Sequence, residues 1–314
     1  MIALLAEIRF PGWDPVALHL GPLQVRWYGL GYLAGFLVAG FVLDRLVKDG
    51  YLPLTKEKVS DFIGWLVLSV ILGGRLGYAL FYEQRLLTHP LELVRIWEGG
   101  LSFHGGLAGV AVGSLWFARR QRVPWLRLGD GLALAIPFGI LFVRCANFIN
   151  GELYGRIASA AVPWAMRFPT DPAARALSPE LARGGGLNWH DAFERLAASG
   201  QWDVIAGSVP LRHPSQLYEA LLEGVATAVV LWLVYRRGGA LVRRNGGLSG
   251  LFLLLYALAR ITVEFFRQPD AQLGTVLGPF SMGQLLSVVM LVAGGYMMMR
   301  GQSNERSKVS AAGL

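Results

Sequence analysis

Runs of about 20 mostly apolar residues, the length a helix needs to cross a bilayer, recur seven times along the chain, near 23–43, 60–82, 101–118, 128–149, 216–235, 248–266 and 280–299. The pattern predicts an all-α integral membrane protein with seven transmembrane helices. Gly29, Gly31, Gly35 and Gly40 fall in the first run and Gly105, Gly106, Gly109 and Gly113 in the third, and small residues let membrane helices approach closely. Pro137 removes a backbone donor inside the fourth run and is expected to kink it. Between the fourth and fifth runs the pattern breaks over residues 151–214, which carry Pro163, Pro169, Pro172, Gly184 to Gly186, Trp164, Trp189 and Trp202. A structureless loop of that length is unusual, so a small folded extramembrane element with short helices around 190–200 is expected. No internal repeat of the transporter kind is visible.

Composition agrees. With 314 residues, 54% hydrophobic, 16% charged and a mean hydropathy of +0.45, the chain is too apolar for a soluble fold of this size. We expect one polytopic membrane domain over 1–314, with 151–214 as an insertion and 301–314 as a tail. The single cysteine excludes an internal disulfide framework. Met1 to Phe10 lacks a basic start and a full apolar core, so the first run is expected to direct insertion itself.

Lys and Arg crowd alternate loops. Arg45, Lys48, Lys56 and Lys58, then Arg119, Arg120, Arg122 and Arg127, then Arg236, Arg237, Arg243 and Arg244, and finally Arg300, Arg306 and Lys308 lie on one side; leaving out the long 151–214 stretch, Arg9, Arg26, Arg85, Arg95 and Arg267 lie on the other. By the positive-inside rule the N-terminus and the 151–214 insertion are extracytoplasmic and the C-terminus cytoplasmic. The net charge of +8 then reflects basic loops facing anionic lipid, and no nucleic-acid partner is needed to explain it.

That orientation gives the polar groups a common depth. Tyr28 starts the first run, Arg75 lies late in the second, His104 begins the third, Arg144 and Asn147 end the fourth, and Arg260 and Glu264 end the sixth. All fall in the outer half of the bilayer, where charge is costly and marks a cavity or substrate site. Arg260 and Glu264 are one turn apart and able to pair, with Arg267 a further turn on. The plainer readings are a boundary arginine reaching for head groups, helix-end ion pairs without a ligand, glycines that only pack, a structural histidine, and Tyr28 as an interfacial belt residue. Guanidinium groups suit phosphate through paired, charge-assisted hydrogen bonds, so a phospholipid head is the natural guest. Histidines at 19, 89, 104, 190 and 213 are too scattered for a metal site, Pro214 separates His213 from Ser215 with no nucleophile elbow nearby, and no cofactor is expected.

Arg144-Cys145-Ala146-Asn147-Phe148-Ile149-Asn150-Gly151-Glu152-Leu153-Tyr154-Gly155-Arg156 resembles the signature of the prolipoprotein diacylglyceryl transferase family. Trp27-Tyr28-Gly29, Gly73 to Tyr78, Ser102 to Gly106, Arg212 to Glu219 and Arg260 to Asp270 match in family order. Val143 and Cys145 depart from the family's usual Gly before the arginine and small or apolar residue after it. The resemblance implies transfer of the diacylglyceryl group of phosphatidylglycerol to the lipobox Cys thiol of a prolipoprotein signal peptide. Glycerol 1-phosphate would be released, in the bacterial inner membrane. It implies catalytic roles for His104, Arg144, Arg260 and Tyr28, with His104 as base towards the thiol and the two arginines stabilising the leaving phosphate. Asn147, Glu152, Gly155, Glu264, Arg75 and Gly105 join Arg144 and Arg260 in the expected substrate-binding set. A transporter or lipid flippase with an anion site at Arg144 and Arg260 is the runner-up, and an envelope scaffold the third reading. The outer placement of the polar groups weighs against the first, and the buried arginines against the second.

Overall fold

The computed structural model describes residues 8–21, 23–184, 189–268, 275–277 and 280–300. The expected tail, 301–314, and Pro269-Asp270 of the last matching stretch lie outside the described residues. Seven long helices follow the predicted runs: α1 (Trp27–Lys48), α2 (Lys56–Phe81), α3 (Phe103–Gln121), α4 (Trp125–Ile149), α5 (Ser215–Arg237), α6 (Gly247–Glu264) and α7 (Met282–Arg300). Six helices among the described residues are long and apolar enough to cross a membrane, and α3 is not one of them. Its 19 residues include four glycines, His104, Arg119, Arg120 and Gln121, which dilute its apolar content.

The chain forms two compact units. One comprises residues up to Gly35, Ile136–Arg237 and Gly250–Met299; the other comprises Phe36–Ala135, Gly238–Ser249 and the residues from Arg300.

In the first unit the chain enters α1 through a hairpin that apolarity alone did not reveal. Val16–Leu20 pairs antiparallel with Leu23–Arg26 around Gly21 at φ 61°, so α1 starts at Trp27 rather than at residue 23. The 151–214 stretch is folded as expected, with short helices at Pro172–Leu177, Pro179–Arg183, Trp189–Ala198 and Gln201–Ala206. Asp171 and Ser178 cap the first two through the backbone N–H groups of Ala173 and Leu181, and a proline opens each. Phe10, Phe148, Phe168, Trp189, Phe193 and Trp202 form a buried core beneath them. Tyr154 stacks on Phe168 at 4.9 Å, and burial together with the nearby Asp171 pushes its phenol up to about 12. Pro137 sits inside an uninterrupted α4. The middle of α5, Ala220–Ala226, is π-helical, a form that recurs at functional sites.

In the second unit α2 and α3 lie backbone to backbone. A Cβ built on Gly77 would come 2.6 Å from the Cα of Gly105, and one on Gly73 would come 2.7 Å from that of Gly109, so glycine is required there. At the start of α4, buried Asp130 accepts from the backbone N–H groups of Gly246 and Ser249, each at 2.8 Å, and so caps α6 from another helix. Arg127 beside it donates to Asn245 Oδ1 and to the carbonyls of Val242 and Arg243.

Candidate functional site

The last turn of α4 sets Arg144 and Asn147 on one face, with Arg144 Nη1 donating to Asn147 Oδ1 at 3.3 Å. Asn147, 1% exposed, in turn donates to the Tyr28 hydroxyl and to Glu152 Oε1. Asn150 donates to the same Glu152 oxygen at 3.1 Å. The chain leaves the helix through Gly151 at φ 64°, a conformation that favours glycine. Gln216 Nε2 donates to the Glu152 carbonyl at 2.6 Å and Ser215 Oγ to that of Leu153 at 3.0 Å, so the start of α5 holds this turn in place. Tyr28, Asn150, Glu152, Tyr154, Thr170 and Arg175 are among the residues lining a recess of about 350 Å³.

Gly155 has a steric reason to be glycine. A Cβ there would come 2.9 Å from both His213 Cβ and His213 O and would also meet the Phe266 carbonyl. Gly155 N donates to His213 O and Arg156 N to Phe266 O, each at 2.7 Å, tying the signature turn to the end of α6.

Beneath this turn lies an arginine cluster built on one carboxylate. Glu219 is fully buried; its Oε2 is 3.0 Å from Arg144 Nε, and its Oε1 is 2.6 Å from Arg260 Nη1 and 3.1 Å from Arg267 Nη1. Arg260 also meets Glu264 Oε2 at 3.1 Å, the pairing expected from their spacing, and Glu223 Oε1 at 3.8 Å. Gly283 leaves room for this network, since a Cβ on it would come 3.2 Å from Glu264 Oε2 and 3.3 Å from Arg260 Nε. Burying a charge costs several kcal/mol unless it is paired; these six groups meet as ion pairs, while Glu219 Oε2, both oxygens of Glu223 and Glu264 Oε2 accept no hydrogen bond among the described residues. Arg144 and Arg260 remain partly open, with 18% and 15% of their side chains exposed.

The structure therefore brings together Tyr28, Arg144, Asn147, Glu152, Gly155, Arg260 and Glu264 in the first unit. His104, Gly105 and Arg75 belong to the second. His104 is exposed in the first turn of α3, where Ser102 caps the helix by accepting from Gly105 N at 3.2 Å. Arg75 is buried, and its guanidinium donates to five backbone carbonyls of the connection before α3: Leu93, Gly99, Gly100, Glu92 and Arg95. It holds the loop that leads into Ser102 and His104.

Glu219 and Glu223 had no role in the sequence reading. Two carboxylates inside an apolar run are themselves a signal of an intramembrane site. Arg267 was expected one further turn along the sixth helix, but α6 ends at Glu264 and Arg267 reaches Glu219 from the following turn, opposite Gly155.

These features define a multi-pass membrane protein that buries a paired arginine and carboxylate cluster at the ends of its helices. The model of the family described as prolipoprotein diacylglyceryl transferase matches residues 15–300. Proteins named phosphatidylglycerol–prolipoprotein diacylglyceryl transferase are similar over nearly their whole length. That of Sodalis glossinidius is 46% identical over 296 residues, covering 93% of this chain and 94% of its own. That of Burkholderia thailandensis is 44% identical over 305 residues (93% and 95%), and that of Bradyrhizobium diazoefficiens 41% over 293 (91% of each). The chain belongs to the prolipoprotein diacylglyceryl transferase family.

Proposed function

We propose that this protein transfers the diacylglyceryl group of phosphatidylglycerol to the lipobox cysteine thiol of a prolipoprotein signal peptide, the first step of bacterial lipoprotein maturation. The observation that carries the reading is the convergence of Arg144 and Arg260, from two different helices, on one anionic group. Donors so arranged suit the phosphate of a lipid head.

The chemistry is displacement at a glycerol carbon. The thiol loses its proton to His104, the thiolate forms a C–S bond, and the C–O bond to phosphate breaks, releasing glycerol 1-phosphate. Arg144 and Arg260 stabilise the charge that gathers on the departing phosphate in a site of low dielectric. Tyr28, Asn147 and Glu152 orient the lipid head through the chain of hydrogen bonds that joins them, and Glu264 holds Arg260 in place. Gly155 keeps the signature turn against α6. Arg75 and Gly105 hold the loop and the close helix contact that carry His104.

The protein works in the inner membrane, with α3 as a seventh crossing beside α2, the N-terminus and residues 151–214 outside, and 301–314 in the cytoplasm. The excess of Lys and Arg in alternate loops supports this orientation. Reconstitution of the purified protein with labelled phosphatidylglycerol and a lipobox peptide tests the function. Thioether formation is expected; lipid movement without chemistry, or no effect on the lipid, would reject it.

A further inference from the structure

Three arginines in one buried cluster create a problem for turnover. Guanidinium groups keep their charge at any working pH, and a phosphomonoester product carries up to two negative charges near neutrality, against one on the diester it came from. A cluster that only attracts anions would hold its product more tightly than its substrate. The structure contains a group able to limit that hold. Among the described residues Glu219 is the carboxylate that reaches all three arginines, at 3.0 Å from Arg144, 2.6 Å from Arg260 and 3.1 Å from Arg267. Glu223 and Glu264 each meet Arg260. Glu219 has no exposed surface, and it sits immediately before the π-helical stretch of α5.

We propose that Glu219 is an internal competitor for phosphate. Its carboxylate and a lipid phosphate contend for the same two guanidinium groups: Arg260, which donates to Glu219 Oε1, and Arg144, which faces Oε2 as an ion pair. Phosphate enters by drawing those groups from Glu219, and their return to Glu219 expels the product. Glu219 is thus a positioning residue that sets how long product stays. This inference rests on the phosphate-binding reading above.

Glu219→Gln keeps the shape of the side chain and removes its charge. Inhibition by glycerol 1-phosphate and by inorganic phosphate should then strengthen about tenfold or more, since a unit charge a few ångströms away is worth at least that much at a partly buried site. The KM for phosphatidylglycerol and kcat should both fall, because release becomes slow. A merely structural role predicts weaker binding of every anion. Glu219→Asp, which keeps the charge but draws it back, should strengthen phosphate inhibition by a smaller factor. It carries the test if the glutamine variant does not fold. In the wild-type protein, adding inorganic phosphate should change a carboxylate band in the infrared difference spectrum.

Unchanged or weakened phosphate inhibition in a folded Glu219→Gln or Glu219→Asp protein would overturn the inference alone. So would an equal effect of Glu223→Gln, whose carboxylate lies 3.8 Å from Arg260. Failure of wild-type protein to bind glycerol 1-phosphate by calorimetry would instead overturn the phosphate reading, and the inference with it.

Discussion

Arg144 on α4 and Arg260 on α6 grip opposite oxygens of the same Glu219 carboxylate, at 3.0 Å and 2.6 Å. Two helices far apart in sequence thereby bring their guanidinium groups to one buried carboxylate.

Arg144→Ala should abolish most transfer, at a cost of about 3 kcal/mol or more of transition-state stabilisation. Arg144→Lys keeps the charge but loses the planar fork and should retain a fraction of activity. Transfer of labelled diacylglyceryl to a lipobox peptide, with folding checked by size-exclusion chromatography, is the measurement. Near-normal turnover by folded Arg144→Ala protein would refute the phosphate role.

Arg75→Lys should destabilise the protein by about 3 kcal/mol, because one ammonium cannot serve the five carbonyls that the guanidinium reaches and buried acceptors left unpaired are expensive. Thermal unfolding in detergent reports this. The KM for lipid in the folded fraction should stay near the wild-type value, whereas a large rise would point to direct lipid contact.

Gly155→Ala places a methyl group against His213 and the Phe266 carbonyl, where backbone must shift to admit it. Activity should fall steeply, and His213→Ala should not restore it, because the atoms met are two backbone carbonyls and a Cβ that alanine retains. Wild-type turnover by the single variant would remove the steric argument.

Topology can be read by cysteine labelling in a Cys145→Ser background. Val204, 80% exposed, is a suitable reporter for the 151–214 stretch. An impermeant maleimide should label Val204→Cys in intact spheroplasts and Ala240→Cys only after lysis. The reverse result inverts the orientation.

Cys145 adjoins Arg144 in sequence but not on the helix surface, since successive residues point about 100° apart. It is free and half-buried, and a free cysteine in such a place behaves as a small apolar residue. Cys145→Ala and Cys145→Ser should therefore keep most activity. Loss in both, with a lipid-modified Cys145 detected by mass spectrometry in the wild-type enzyme, would demand a covalent intermediate.

Features written in local spacing were legible in the chain itself. Apolar run length located all seven long helices, and one-turn spacing foretold the Arg260–Glu264 contact. The length of 151–214 foretold a folded element, because a structureless loop that long is unusual. The hairpin before α1 was hidden because Leu23 and Val25 extend the apolar run while their alternation with Gln24 and Arg26 suits a strand. The assignments that required folding are those between distant residues. Arg75 turns towards loop carbonyls, Glu219 gathers three arginines, and Asp130 caps a helix begun more than a hundred residues later. A charge buried in an apolar chain must find a partner, and sequence announces that need. Which partner meets it depends on where helix packing brings the chain together, and only the tertiary structure decides that.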